Sequence, residues 1–379
     1  MRSAALQRAA LTLAGAVVAV LLAFVVSSAA IVIAGGSPVT ALQAMFDFGE
    51  TTVAVVNAVT QMLNRATPLF IAGLAVAIGF RMNLFNIGVE GQYRIAAIVA
   101  AFVGGQLALP APIHLTVIIL VAMVTGGLYA LVPAMLKVYR GVNEVISTIM
   151  LNFIALSMAA YLVRGPFAGG QEEGLTTSTP PLPPSGQFPN ANFLFQMFGL
   201  PAPRGTGLWG FLLVAVLVGV VIWVLLERTR FGFEIRASGL NGPAALASGV
   251  NPRQMVISAM VLSGAVAGLI GLPEILGRTY SYGTGFTPQL GFLGIAVALL
   301  GRNKPLGIAL AALLFAFLDR AATPLQFADI PPSVVSIIQG AIVLMVVIAG
   351  EVTRRIALRQ EERRAAAGAA APAPAGVNA

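Results

Sequence analysis

Ile113-His-Leu-Thr-Val-Ile-Ile-Leu-Val-Ala-Met-Val-Thr-Gly-Gly-Leu-Tyr-Ala-Leu-Val-Pro-Ala-Met-Leu136 contains no Asp, Glu, Lys or Arg, and Lys137 and Arg140 follow it at once. About 20 mainly apolar residues carry a helix across a bilayer. The stretch is long enough, and a basic break ends it. Nine further stretches read the same way: 11–33, 62–80, 93–109, 145–163, 208–226, 255–276, 289–300, 305–317 and 333–348. The predicted fold is therefore an all-α polytopic membrane protein with about ten transmembrane helices. The stretches 289–300 and 305–317 are too short to cross alone. They suggest half-helices or a re-entrant pair, allowed only where protein or a cavity covers the freed backbone. The first stretch exceeds the usual h-region of a signal peptide, about 7–15 residues, and is read as an uncleaved first span.

Composition agrees. Of 379 residues, 58% are hydrophobic and 9% charged, against about 25% charged in a soluble domain. Mean hydropathy is +0.90. The net charge of +8 does not indicate nucleic-acid binding, because the basic residues sit in breaks between apolar runs. With the N-terminus inside, 17 of the 22 Lys and Arg fall on the inner side and 5 on the outer. By the positive-inside rule both termini are cytoplasmic. Cysteine is absent, which excludes disulfides and thiolate metal sites. The lone His114 reads as an interfacial residue, since a metal site needs several ligands.

The membrane domain is expected over 1–358. A charged, then low-complexity tail over 359–379 reads as disordered. The connection 34–61 is mildly amphipathic (Ala41, Leu42, Met45, Phe46), suited to the membrane surface. The outer connection 164–207 carries Thr179-Pro-Pro-Leu-Pro-Pro184, which favours extended backbone. It is a linker or a docking surface for an external partner.

Four segments carry functional signals. In the cytoplasmic connection 227–253, Asn241 can cap a short helix, Pro243 suits its first turn and Gly249 can end it. Small side chains there let another protein approach. Around 81–92, Asn83, Asn86, Glu90 and Gln92 sit beside a span, where polar groups usually face a bundle interior or cavity. In 141–152, Asn143 can cap the next span, while Ser147, Thr148 and Asn152 lie within it. In 276–305, Tyr280, Ser281, Tyr282, Thr284 and Thr287 lie near the outer mouth, and glycines punctuate a short span, a pointer to a substrate path. Gly264 and Gly268 form a GxxxG, read as helix packing. No P-loop motif occurs, and no clear carboxylate sits mid-span as a proton-coupled carrier needs. No cofactor is expected.

Asn86-Ile-Gly-Val-Glu-Gly-Gln92, Gly141-Val-Asn-Glu-Val-Ile-Ser-Thr-Ile-Met-Leu-Asn152 and the run from Gly291 to Gly307 resemble the permease subunits of ABC importers for nucleosides and simple sugars. That group is related to the ribose and branched-chain amino-acid permeases. The resemblance covers about 64–350. It implies a type II importer fold and a transmembrane dimer with a second, homologous permease or a second copy. It also implies cytoplasmic ABC ATPases bound at 231–251, and an external substrate-binding lipoprotein or periplasmic protein. Such a subunit is not an enzyme. Leu293 departs from the acidic residue that relatives often carry there. A weak echo between 85–91 and 292–297 hints at an inverted repeat. The expected path residues are Asn86, Glu90, Gln92 and Asn152. The expected ATPase contacts are Arg236, Gly239, Asn241, Ala244 and Gly249. The expected function is ATP-driven uptake of nucleosides or sugars across a bacterial plasma membrane. The alternatives are a branched-chain amino-acid permease and a stand-alone secondary transporter.

Overall fold

The computed structural model describes residues 18, 20–169 and 177–369. They fold as helices, with two isolated β-bridges, Ser178 to Gly283 and Asn190 to Trp209. Two compact units form, one from the chain up to Asp47 and from Ala321 onward, the other from Phe48 to Arg320.

In the first unit, α1 (Val20–Ile33) turns through 108° into α2 (Pro38–Phe46). Ala41 and Met45 of α2 are buried while Leu42 and Phe46 are exposed, the amphipathic split that the sequence suggests. The start of the first expected span lies outside the described residues. The last helix of this unit, α15 (Ser333–Ala369), continues past Arg359. Glu- and Ala-rich sequence propagates a helix readily, and Arg355 pairs with Glu351 one turn back at 2.7 Å. Residues 370–379 lie outside the described part.

The larger unit contains α3 (Thr52–Arg81), α4 (Val89–Gln106), α5 (Ala111–Arg140), α6 (Glu144–Arg164), α7 (Phe193–Met197), α8 (Phe211–Arg228), α9 (Arg230–Leu240), α10 (Gly242–Ala247), α11 (Pro252–Gly268), α12 (Leu272–Glu274) and α13 (Leu290–Leu300). It also holds most of α14 (Pro305–Phe327). A π turn, Ile275–Thr279, continues α12. All ten expected spans correspond to helices. Seven helices among the described residues are long and apolar enough to cross a membrane, or eight if the bent α1–α2 pair counts as one.

Two helices depart from the expectation in informative ways. The stretch 305–317 is not a half-helix: α14 is 23 residues long and apolar enough to cross a membrane. Asp319 and Arg320 made it look short in the sequence, but Asp319 is paired with Arg65 of α3 at 2.5 Å. By contrast, α4 carries Glu90, Gln92 and Arg94 and is less apolar than the crossing helices, yet most of its residues are buried. Protein, not lipid, surrounds it.

The long α3 is mostly buried, and beside it α11 packs tightly against α5. A Cβ on Gly264 would lie 2.3 Å from Ala130 Cβ and 2.4 Å from Gly126 O, and one on Gly268 would lie 2.1 Å from Ala122 O. Small residues four apart on both helices let the backbones touch. Gly264→Leu is therefore expected to pry this pair apart, at about 1–3 kcal/mol or more for overpacking. The melting temperature of the purified protein should fall. Gly340→Ala, whose added Cβ meets open space, should leave it unchanged.

The connection after α6 is not a bare linker over 177–207. Thr179 and Leu182 donate from their backbone N–H to the carbonyls of Tyr282 and Tyr280, and Phe188 does so to Leu276. The segment thus runs beside the end of the π turn. His114 is fully buried rather than interfacial. Its ring bridges Ser185 Oγ (2.9 Å) and the Gly104 carbonyl (3.0 Å), tying this cap to α4.

Candidate functional site

At one end of the larger unit, α3, α8 and the α13–α14 turn converge. Arg81 reaches Glu227 at 2.5 Å and the Asn303 carbonyl at 3.3 Å. On this end sits the α9–α10 hairpin. Thr229 opens α9 by accepting from Gly232 N, and Asn241 caps α10 by accepting from Ala244 N at 3.1 Å. Gly249 closes α10 at φ +82°, with Val250 N–H bonded back to Ala245 O. Every local signal read from this sequence acts as expected.

The five expected ATPase contacts divide into two groups. Arg236 faces inward, donating to the Leu226 carbonyl and lying 3.6 Å from Glu227. Gly239 seats the hairpin: a Cβ there would fall 2.7 Å from the Met82 backbone. Asn241, Ala244 and Gly249 are exposed. Leu240 and Leu246, not singled out from sequence, are 88% and 63% exposed.

The four expected path residues are buried, and their hydrogen bonds are spent on the protein. Asn86 and Gln92 exchange amide bonds at 3.1 and 3.0 Å. Asn86 also donates to Ser263 Oγ and accepts from Gly88 N. Asn152 accepts from Gly91 N at 2.9 Å and donates to Ile87 O at 3.0 Å. It thereby locks α6 to the start of α4.

Glu90 does something different. Its two carboxylate oxygens accept from Gln289 N and Gly291 N, each at 3.0 Å. These are backbone donors at the start of α13. That helix has 11 residues, roughly 16 Å at 1.5 Å per residue, about half the hydrocarbon thickness. Its first turn has no intrahelical acceptors for its N–H groups and carries positive dipole charge. A carboxylate borrowed from α4 satisfies both needs. Arg94 pairs with Glu90 at 2.8 Å, and Tyr93 OH donates to the Thr287 carbonyl at 2.9 Å. Gln289, just before α13, sits at φ +67°, a backbone region rare for residues other than glycine. The polar cluster near 81–92 is thus the fitting that holds a broken helix.

None of the four residues lines either of two cavities found in this unit. The larger, about 530 Å³, runs between α3, α8 and α14 beside Phe70, Trp223 and Leu306. Its walls are almost wholly apolar and cannot pair a polar solute. The smaller, about 280 Å³, is bounded by Gln61, Asn64, Arg65, Pro68, Thr206, Trp209, Ile270, Glu274, Arg278, Thr287 and Leu290. Asn64 shapes it by accepting from Trp209 N (2.8 Å) and donating to Gly207 O (3.0 Å). Glu274 binds Arg278 and accepts from Thr287 Oγ1 at 2.6 Å. The sequence placed Thr287 near the outer mouth. It had no means of joining α3, the 206–209 turn and the π turn into one wall. Among the described residues no group of acidic or His side chains could hold a metal ion.

Comparison with known proteins adds an independent line. Residues 58–347 match the family described as branched-chain amino acid transport system, permease component. The chain is 36% identical to the glucose ABC transporter permease protein TsgB13 of Haloferax volcanii, over 87% of this chain and 86% of that one. It is 34% identical to the guanosine ABC transporter permease protein NupP of Bacillus subtilis, over 87% and 91%. It is 29% identical to the nucleoside ABC transporter permease protein NupB of Lactococcus lactis, over 87% and 89%. No solved structure matches. With this match spanning most of the helical bundle, the chain belongs to the permease components of the branched-chain amino acid transport family and is a membrane-embedded ABC permease subunit.

Proposed function

We propose that this chain imports nucleosides or simple sugars across a bacterial plasma membrane, driven by separate cytoplasmic ABC ATPases. One observation carries the coupling half of this reading: the α9–α10 hairpin, capped at each turn, presents exposed leucines and small residues at the end where Arg81, Arg302 and Lys304 cluster. The positive-inside rule makes that end cytoplasmic, with both termini on the same side. A cluster of exposed apolar side chains outside the bilayer fits a protein partner. Arg236 and Gly239 seat the hairpin on the bundle, and Asn241, Ala244 and Gly249 shape the contact.

The substrate half draws on the relatives, whose names specify glucose, guanosine and nucleosides. In this reading two permeases, identical or homologous, pair in the membrane, and ATP binding draws their hairpins together. An external lipoprotein or periplasmic protein delivers solute to the folded 177–207 cap, where Met197 and Phe198 are exposed. Asn86, Glu90, Gln92 and Asn152 act on the path by fixing α13 and the start of α4, without contacting solute in the state described.

The test is uptake of labelled guanosine, uridine, glucose and leucine by cells with and without this chain. Chain-dependent uptake of a nucleoside or sugar, unaffected by excess leucine, is the expected result. Equal uptake of every solute in both strains, or competition by leucine, overturns the substrate class.

A further inference from the structure

The 280 Å³ cavity sits on α3 about 25 Å from Arg81, taking 17 residues at 1.5 Å each. That places it near the opposite membrane boundary from the α9–α10 hairpin. Several independent features converge on it. Trp209 lines it, and the indole N–H of Trp209 is buried without a hydrogen-bond partner. Such an orphan usually has a functional or solvent explanation. Glu274 precedes and Arg278 lies within a π turn, an insertion common at functional sites. The half-helix α13 starts at its edge with Leu290. Tyr280, one residue after the π turn, adopts φ +52°, and strained backbone of this kind gathers at ligand sites.

The charge balance specifies the ligand. Arg65 is paired with Asp319 at 2.5 Å and Arg278 with Glu274. The site is therefore close to neutral, with no cation left over for a carboxylate. An amino-acid zwitterion would have to break one of these pairs. Each Glu274 oxygen has one protein partner and a second lone-pair site open. Gln61, exposed at the mouth, adds an amide. Trp209 and Pro68 offer apolar faces against which a sugar or base ring can lie.

We propose that this pocket is a stopping place on the import path for a neutral ring-shaped solute bearing hydroxyl or ring N–H groups. The solute lies against Pro68, accepts the Trp209 indole N–H after a small opening of the wall, and donates to Glu274. The proposal rests on the importer reading above and adds the site to it.

Trp209 and Trp223 are the only two tryptophans, and Trp223 borders the other cavity. In a Trp223→Phe background, Trp209 is thus the sole indole. The full chain, purified into lipid nanodiscs, is dialysed against labelled uridine, glucose and leucine while Trp209 emission is followed. Saturable binding of uridine or glucose with a matching emission change is expected, and none for leucine. Gln61→Ala and Glu274→Gln should each weaken binding about tenfold, the loss of one hydrogen bond to a charged or desolvated group. Elution and melting should be unchanged for Gln61→Ala. Saturable leucine binding overturns the proposal. So does uridine or glucose binding that ignores both substitutions. Absence of all binding, in a chain that still confers nucleoside or sugar uptake on cells, overturns the pocket and leaves the importer reading standing. Absence of chain-dependent uptake overturns the importer reading itself.

Discussion

Glu90→Ala is expected to lower the stability of the permease by about 3–5 kcal/mol, the cost of removing one member of a buried ion pair, and to abolish uptake. The truncation strands three groups at once. Arg94, itself largely buried, loses its counter-charge. The N–H groups of Gln289 and Gly291 lose their acceptor at the positive end of α13. Glu90→Gln separates the contributions. Its single carbonyl can still accept from one backbone donor, but the charge is gone, so an intermediate loss of stability is expected. Thermal melting of the purified chain and uptake into cells, measured on both variants, check this. A Glu90→Ala protein that melts and transports like the parent would mean that α13 holds its place without this cap.

The contrast between what could and could not be read from sequence follows from the range of each interaction. The α9–α10 hairpin was legible down to Asn241 and Gly249 because caps act within one turn of their own helix. The GxxxG at Gly264 and Gly268 was legible as packing, though its partner stripe Ala122, Gly126 and Ala130 needed the tertiary fold. Glu90 was picked out as a polar residue in an apolar setting, but its partners lie some 200 residues downstream, and spacing says nothing across that distance. Asp319 misled for the same reason. A charge pair across 254 residues lets α14 run on past Asp319, and the sequence alone showed only the carboxylate. The small polar cavity is the extreme case. Gln61, Trp209 and Glu274 come from three separate stretches, and each taken alone looks like an ordinary residue at a helix end.

Leu240→Asp combined with Leu246→Asp is expected to cut ATP-driven uptake by at least about a hundredfold while leaving the melting temperature within a degree or two of the parent. The two side chains are among the most exposed leucines of the larger unit, so the bundle loses little packing when they change. Surface substitutions away from caps and cores usually cost less than about 0.5 kcal/mol. In a closed contact with an ATPase the same carboxylates would be buried without partners, a penalty of several kcal/mol for the pair. Each 1.4 kcal/mol is tenfold in affinity, so a loss of about a hundredfold or more follows. Co-purification of the ATPase from membranes should fall in parallel. Gly239→Val is the complementary change. Its new side chain would collide with the Met82 backbone and unseat the hairpin from α3, so melting and uptake should both suffer. If uptake and co-purification survive the leucine pair in a folded chain, the motor grips another surface. Selective loss with a stable fold puts the grip on this hairpin.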